Sequence, residues 1–319
     1  MLKSWMFAAA LSALPVGAAA QPFDLVILGD MPYGPPETSY PLYQALIDRI
    51  NETTPELVIH VGDTKSGGSP CTDAVLAEQL DFIQQISAPV LYTPGDNEWT
   101  DCHHPRAGGF DPRERLGRIR STYFATPDQS LGAHPLEVEN QAEAGYPENA
   151  RLMFQGAMVV TAHVVGSNNG FEPHDADTAR EALDRDAANR AWLTSAFAAA
   201  REAGAGTLIL AIHGDMFEFG FGPPWNAEGF LRHSGFARFA ELLIEEANRF
   251  ARPVLLTYGD SHRFRMFRPF PTRAPGIMAL ETFGASHMHA VAITVDAIAS
   301  FPFTVRPLLN PAQPLGPRD

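Results

Sequence analysis

The sequence predicts an α/β fold organised on a parallel sheet, and three observations predict it. Short apolar, often β-branched runs recur, and each stops at a Gly-Asp pair. Residues 25–28 run into Gly29-Asp30, 57–61 into Gly62-Asp63, 90–94 into Gly95-Asp96 and 254–258 into Gly259-Asp260. A fifth run, 208–212, ends at His213-Gly214-Asp215. Such runs are buried strands, and in open α/β sheets ligands collect at their carboxyl ends. Glycine lets the backbone turn sharply, so the following carboxylate is aimed into the crevice. Between the first three runs lie stretches with helical spacing, so strand, helix and strand alternate. One Gly-Asp is a common turn; five at strand ends point to one acidic pocket.

Taken in order, the strand at 25–28 leads through a Pro- and Gly-rich loop to a helix at about 41–51, where Leu42, Ala45, Leu46 and Ile50 share one face. The strand at 57–61 leads to a helix at about 72–86, with Thr72 as N-cap and Leu76, Leu80, Ile83 and Ile86 as its stripe. The strand at 90–93 completes β-α-β-α-β, which implies right-handed crossovers. Residues 99–145 read as irregular, with one basic helical piece at 113–120 whose face is expected in solvent. A hairpin is expected from 151–154 and 158–165, followed by the turn cluster 166–170, where Asn168 and Asn169 are turn formers and an approach to the site stays open. A helix at 177–203, a strand at 207–212, a helix at 228–250 and a strand at 253–258 follow. The loop 216–226, rich in Phe, Gly and Pro, reads equally as a substrate wall or as plain packing. The last strands, 277–282, 290–295 and 301–305, read as antiparallel, and the Pro-rich tail from Asn310 as frayed.

The 319 residues are 45% hydrophobic and 19% charged, enough for a sizeable core. No linker splits them, so one domain over 21–319 is expected. The net charge of −14 argues against a nucleic-acid backbone as partner, although a local metal charge would still admit a small phosphorylated substrate. Residues 1–20 read as an export signal: Lys3, then a short apolar run, then Ala18-Ala19-Ala20 before Gln21. That predicts a periplasmic or secreted protein with no membrane segment after cleavage. Cys71 and Cys102 are the only cysteines, and an oxidising compartment favours their pairing.

The acidic and histidine strand ends resemble, in their order, the calcineurin-like metallophosphoesterases, the superfamily of the purple acid phosphatases. Asp30-Met31-Pro32, Gly62-Asp63, Gly95-Asp96-Asn97-Glu98, His213 and Gly259-Asp260-Ser261-His262 stand where that family has Asp-x-His, Gly-Asp, Gly-Asn-His-Asp/Glu, a lone His and Gly-His-x-His. The resemblance covers roughly residues 25–262 and marks a divergent branch. It implies a four-layer α/β/β/α sandwich with two divalent ions at the sheet edge. Asp63 would bridge them, Asp30 and His262 would hold one, and Asp96, His213 and Asp260 the other. Ions about 3.5–4 Å apart activate a shared water for in-line displacement at phosphorus.

Departures from the pattern sharpen the expectation. Pro32 replaces a histidine ligand, and the adjacent Tyr33 is a substitute donor. Asn97 stands where the family has the histidine that assists the leaving group, and an amide is no general acid. His103 or His104 on the same loop would take over that proton. Lys65, the only lysine besides Lys3, reads as a phosphate contact or as a solvated loop residue. Four carboxylates cancel two divalent ions, and the oxygen-rich set favours Mn, Fe or Mg over Zn. His60 and His163 read as core groups, and Asp215 and Glu98 as supports for their loops. His287 and His289 read equally as site-facing or structural. Two functions follow from the residues: an exported metal-dependent phosphoester hydrolase, monoester or diester, or the same fold binding a ligand or partner without turnover. Oligomeric state stays open.

Overall fold

The computed structural model describes residues 21–218 and 226–313. The expected export signal lies outside them, as do most of the loop 216–226 and the tail beyond 313. In chain order the elements are β1 (Phe23–Leu28), α1 (Pro36–Thr53), β2 (Leu57–His60), α2 (Asp73–Gln84) and β3 (Val90–Tyr92). Next come α3 (Pro112–Tyr123), β4 (Glu139–Gln141), β5 (Tyr146–Phe154), β6 (Ala157–Thr161) and a single turn, α4 (Gly166–Asn169). Then follow α5 (Ala176–Glu202), β7 (Thr207–Ala211), α6 (Ala227–His233), α7 (Ala237–Phe250) and β8 (Val254–Tyr258). The chain closes with β9 (Arg265–Phe267), β10 (Ile277–Glu281), β11 (Ala290–Val295) and β12 (Phe303–Leu308).

These strands form two sheets, ordered β12-β11-β1-β2-β3 and β4-β5-β6-β7-β8-β10-β9. The β1, β2 and β3 strands run parallel, as do β6, β7, β8 and β10. Period-two alternation assigns successive residues to different layers. Leu25, Ile27 and Ile59 point between the sheets, where they share a core with Val159, Ile209 and Leu255. Their neighbours Val26, Leu28 and Val58 pack outward on Leu46 and Ile50 of α1 and Leu76 and Ile83 of α2. On the other side Leu208, Leu210, Val254 and Leu256 pack on Phe197 of α5 and Phe239 and Leu243 of α7. The result is the expected α/β/β/α stack of four layers.

Several boundaries differ from expectation, each for a local reason. The first helix begins at Pro36 rather than near Pro41, because proline at the first helical position has a pre-set φ and needs no N–H partner. The helix expected over 228–250 breaks at Ser234-Gly235-Phe236, where Asn168 accepts from the Gly235 N–H at 2.8 Å and Asn169 donates to its carbonyl at 3.2 Å. Of the closing strands, β10 runs parallel to β8, because the short antiparallel β9 takes the place beyond it. The face of α3 is not wholly solvated: Arg115 is buried, with Nη1 on the Cys71 carbonyl at 2.8 Å and on Asp73 at 2.7 Å. Asn310 is not frayed; it is buried and donates to the Leu42 carbonyl at 2.7 Å. Cys71 and Cys102 form a disulfide across 31 residues, under Ala107 and Phe110.

Candidate metal centre

Strand polarity sets the geometry. Asp30, Asp63, Asp96, His213 and Asp260 all follow the carboxyl ends of strands, in adjacent positions of the two sheets. Asp30, Asp63, Asp260 and His262 hold positive φ, of 57°, 56°, 74° and 62°. This is the left-handed region that Asp tolerates better than most side chains. Close approach needs glycine beside them: a Cβ on Gly95 would meet Asp63 Oδ1 at 2.0 Å, and one on Gly259 would meet Asp30 Oδ2 at 2.1 Å.

The carboxylates converge on His213. Its Nδ1 donates to the Val61 carbonyl at 2.8 Å, which leaves Nε2 facing Asp96 Oδ1 at 2.9 Å and Asp63 Oδ1 at 3.5 Å. Donor atoms of Asp30, Asp63 and His213 lie within 4.8 Å of one another, as do those of Asp96, His213 and Asp260. His262 stands at the edge, with Nε2 3.5 Å from Asp30 Oδ1.

The cluster is short of positive charge. Burial, with the charge of Asp96 added, pushes Asp260 up to about 8. Burial would lower His213, yet Asp63, Asp96 and Asp30 raise it well above its ordinary range. Asp30 Oδ2 is buried without a hydrogen-bond partner. Crowded oxygens, an orphaned carboxylate atom and an imidazole with a fixed tautomer fit a divalent cation, which would take the place of the missing protons.

Around this centre the loops are tied down. Tyr33 donates to Asp63 Oδ2 at 2.6 Å and accepts from Asn97 Nδ2 at 2.7 Å; the same Nδ2 also reaches Asp63. Glu98 is buried and accepts from the Thr64 N–H at 2.7 Å and the Gly95 N–H at 3.2 Å, so it joins two strand-end loops rather than its own alone. Asp215 donates its N–H to Asp260 Oδ2 at 2.9 Å, and its carboxylate takes Ser261 at 2.6 Å and Arg265 at 2.5 Å. Glu281 accepts from Ser261, Arg265 and the Arg263 N–H.

The other sequence-selected residues take different roles, and of them Lys65 lies within electrostatic reach of Asp63 and Asp96. Lys65 is buried, and its ammonium donates to the carbonyls of Ser66 and Ser69 at 3.3 and 3.2 Å. His103 stays exposed, bonded to the Thr100 carbonyl at 2.6 Å and tilted against the His104 ring; none of these contacts is with the carboxylates. His60 is a core group, 3.3 Å from the Tyr43 hydroxyl and lowered to about 3 by burial and by His213. His163 pairs with buried Glu148 at 2.8 Å, and His289 accepts from the Asn310 N–H. Asn168 Oδ1 accepts from the Gly235 N–H and Asn169 Nδ2 donates to the Gly235 carbonyl, while the backbone of their turn abuts the centre at Gly166. Ser167, Asn168 and Asn169 are all left-handed, which costs roughly 1–2 kcal/mol per residue and persists only where the surroundings enforce it.

No protein-family model matches this sequence, and no curated protein resembles it significantly. The structure aligns with a purple acid phosphatase from yellow lupin (Lupinus luteus) seeds at a TM-score of 0.51 and 12% identity. The fold is that of the metallophosphoesterases. The alignment covers 90% of this chain and 51% of the lupin protein, so the chain spans about half the length of that relative. Weaker likenesses are to GAP50, the anchor in the inner membrane complex of Plasmodium (TM-score 0.48, 9% identity, 91% of this chain, 89% of that one), and to 5'-nucleotidase from Candida albicans SC5314 (0.42, 12%, 89% and 50%).

Sequence reasoning missed Arg265 and Glu281. Nothing in the local pattern separates them from an ordinary strand-end pair; their role appears only when β9 and β10 set them opposite each other.

Proposed function

We propose that the chain is a metal-dependent phosphoester hydrolase. The observation that carries this reading is His213: with its Nδ1 hydrogen committed to Val61, its Nε2 faces two buried carboxylates, an arrangement that calls for a cation. Asp96, His213 and Asp260 would hold one ion, Asp30 and His262 the other, and Asp63 would serve both. Divalent ions bound there supply Lewis acidity and lower the pKa of water to near neutrality, and hard oxygen donors favour Mn, Fe or Mg.

The chain's own residues would do the rest. The buried floor excludes bulk water, and Asp215 and Glu98 hold the ligand loops. Both hydrogens of Asn97 Nδ2 are committed, to Tyr33 and to Asp63, so it would reach a phosphoryl oxygen only by exchanging one of these bonds, and an amide cannot deliver a proton. A small phosphorylated substrate with a good leaving group therefore suits the site best. The disulfide fits an oxidising compartment.

The same Asn97 favours a second reading, a fold that binds without turnover. Chelator-stripped protein reloaded with Mn, Fe, Mg or Zn and assayed on aryl phosphate mono- and diesters separates the two. Turnover that disappears on chelation supports hydrolysis. Metal uptake without turnover on either ester sinks it and leaves the binding reading.

A further inference from the structure

Among the described residues Arg185 is the largest fully buried side chain; it sits in α5 and belongs to neither candidate ligand set. Its Nε and Nη2 donate to Glu181 at 2.9 and 3.1 Å. Nη1 donates to the His163 carbonyl at 3.1 Å and to Asn169 Oδ1 at 2.5 Å, and Nη2 also donates to the Asn169 carbonyl at 2.9 Å. The guanidinium lies over the Trp99 ring, 5.3 Å from its centroid. The backbone N–H of Trp99 in turn donates to the Asp96 carbonyl at 3.2 Å. One side chain thus touches both the left-handed turn and the loop that carries Asp96.

What the turn does is visible at its first residue. A Cβ on Gly166 would lie 2.8 Å from Asp96 Oδ1 and 2.8 Å from Asp260 Oδ1. The backbone there is a wall against two carboxylates at once. Glu181 neutralises Arg185, so the pair adds no net charge to the centre and its contribution is geometric.

We infer that Arg185 is a positioning residue for a divalent cation held by Asp96, His213 and Asp260: it clamps the left-handed turn at 166–170, and the turn fixes where those two carboxylates can point. The inference rests on the metal reading of the same site. Lysine could not replace the clamp, because a point charge lacks the planar fork that spans Asn169 and Glu181 together.

The test is calorimetric titration of chelator-stripped protein with Mn²⁺, beside thermal unfolding and kinetics on an aryl phosphate. Asn169→Gly keeps a residue that tolerates positive φ but removes the side-chain acceptor for Nη1, leaving it the His163 carbonyl alone. Gly166→Ala leaves the clamp alone and pushes a methyl group against both carboxylates. Both folded variants should bind Mn²⁺ at least ten-fold more weakly and lose kcat with KM little changed, and Arg185→Lys should follow them. A merely structural role would lower the unfolding midpoint and leave the Mn²⁺ affinity of the folded protein alone. Wild-type Mn²⁺ affinity in folded Asn169→Gly or Arg185→Lys overturns the inference, Arg185→Lys decides if Asn169→Gly fails to fold, and wild-type affinity in Gly166→Ala overturns the turn's part in it. Failure of the unaltered protein to take up Mn²⁺ overturns the metal reading together with it.

Discussion

His213 donates its Nδ1 hydrogen to the carbonyl oxygen of Val61, 2.8 Å away. That one bond fixes the ring tautomer and presents Nε2 to the acidic cluster, so the residue after strand β2 orients a candidate ligand that follows strand β7. His213→Gln should lower metal affinity by more than the roughly 10–100-fold lost with an outer-shell partner. Elemental analysis after dialysis checks this; an unchanged metal content would remove His213 from the ligand set.

Arg265 holds Asp215 at 2.5 Å and Glu281 at 2.6 Å, and both acids bind Ser261 between Asp260 and His262. Arg265→Met leaves two buried carboxylates facing each other. It should destabilise the fold by about 3–5 kcal/mol. Under the hydrolase reading, turnover should also fall by roughly 10–100-fold, because the candidate ligands Asp260 and His262 lose their support. Urea unfolding and steady-state kinetics read the two effects separately.

Glu148 gives a pH-dependent prediction away from the ligands. Burial would raise its pKa, but His163 and Arg120 hold it down to about 2 from an ordinary 4.5. A depressed carboxyl contributes stability above its unfolded pKa and loses it as pH falls through the folded one. The window is therefore about pH 4.5 down to about 2, with the unfolded chain binding the extra proton. The contribution is on the order of 3 kcal/mol. Glu148→Gln should flatten the acid limb of a stability-versus-pH curve; an unchanged limb would show that other carboxyls dominate it.

The Cys71–Cys102 bridge closes a loop with a sequence separation of 31 that includes Asp96 and begins on the segment following Asp63. Cys71→Ser with Cys102→Ser should cost about 3–4 kcal/mol on the chain-entropy estimate. Thermal unfolding of the double variant, and of the native protein with and without a thiol reductant, tests it.

The sequence by itself determined the parallel strands, their polarity and the acidic pocket. Continuous apolar runs mark strands buried on both faces, and glycine before aspartate marks where each run must turn. Asp30, Asp63, Asp96, His213 and Asp260 were legible for that reason, because each sits where a local pattern ends. Tertiary structure alone decided what holds them. The tautomer of His213 depends on a carbonyl 152 residues away, the turn at 166–170 depends on a buried arginine in α5, and Lys65 spends its charge on loop carbonyls. These are contacts between separate elements, with no periodic signature in the chain. The same physics ended the expected helix at Gly235, where two asparagine amides bind its backbone. Local pattern encodes burial and turning, whereas the orientation of a ligand is set by whatever the packed layers bring against it.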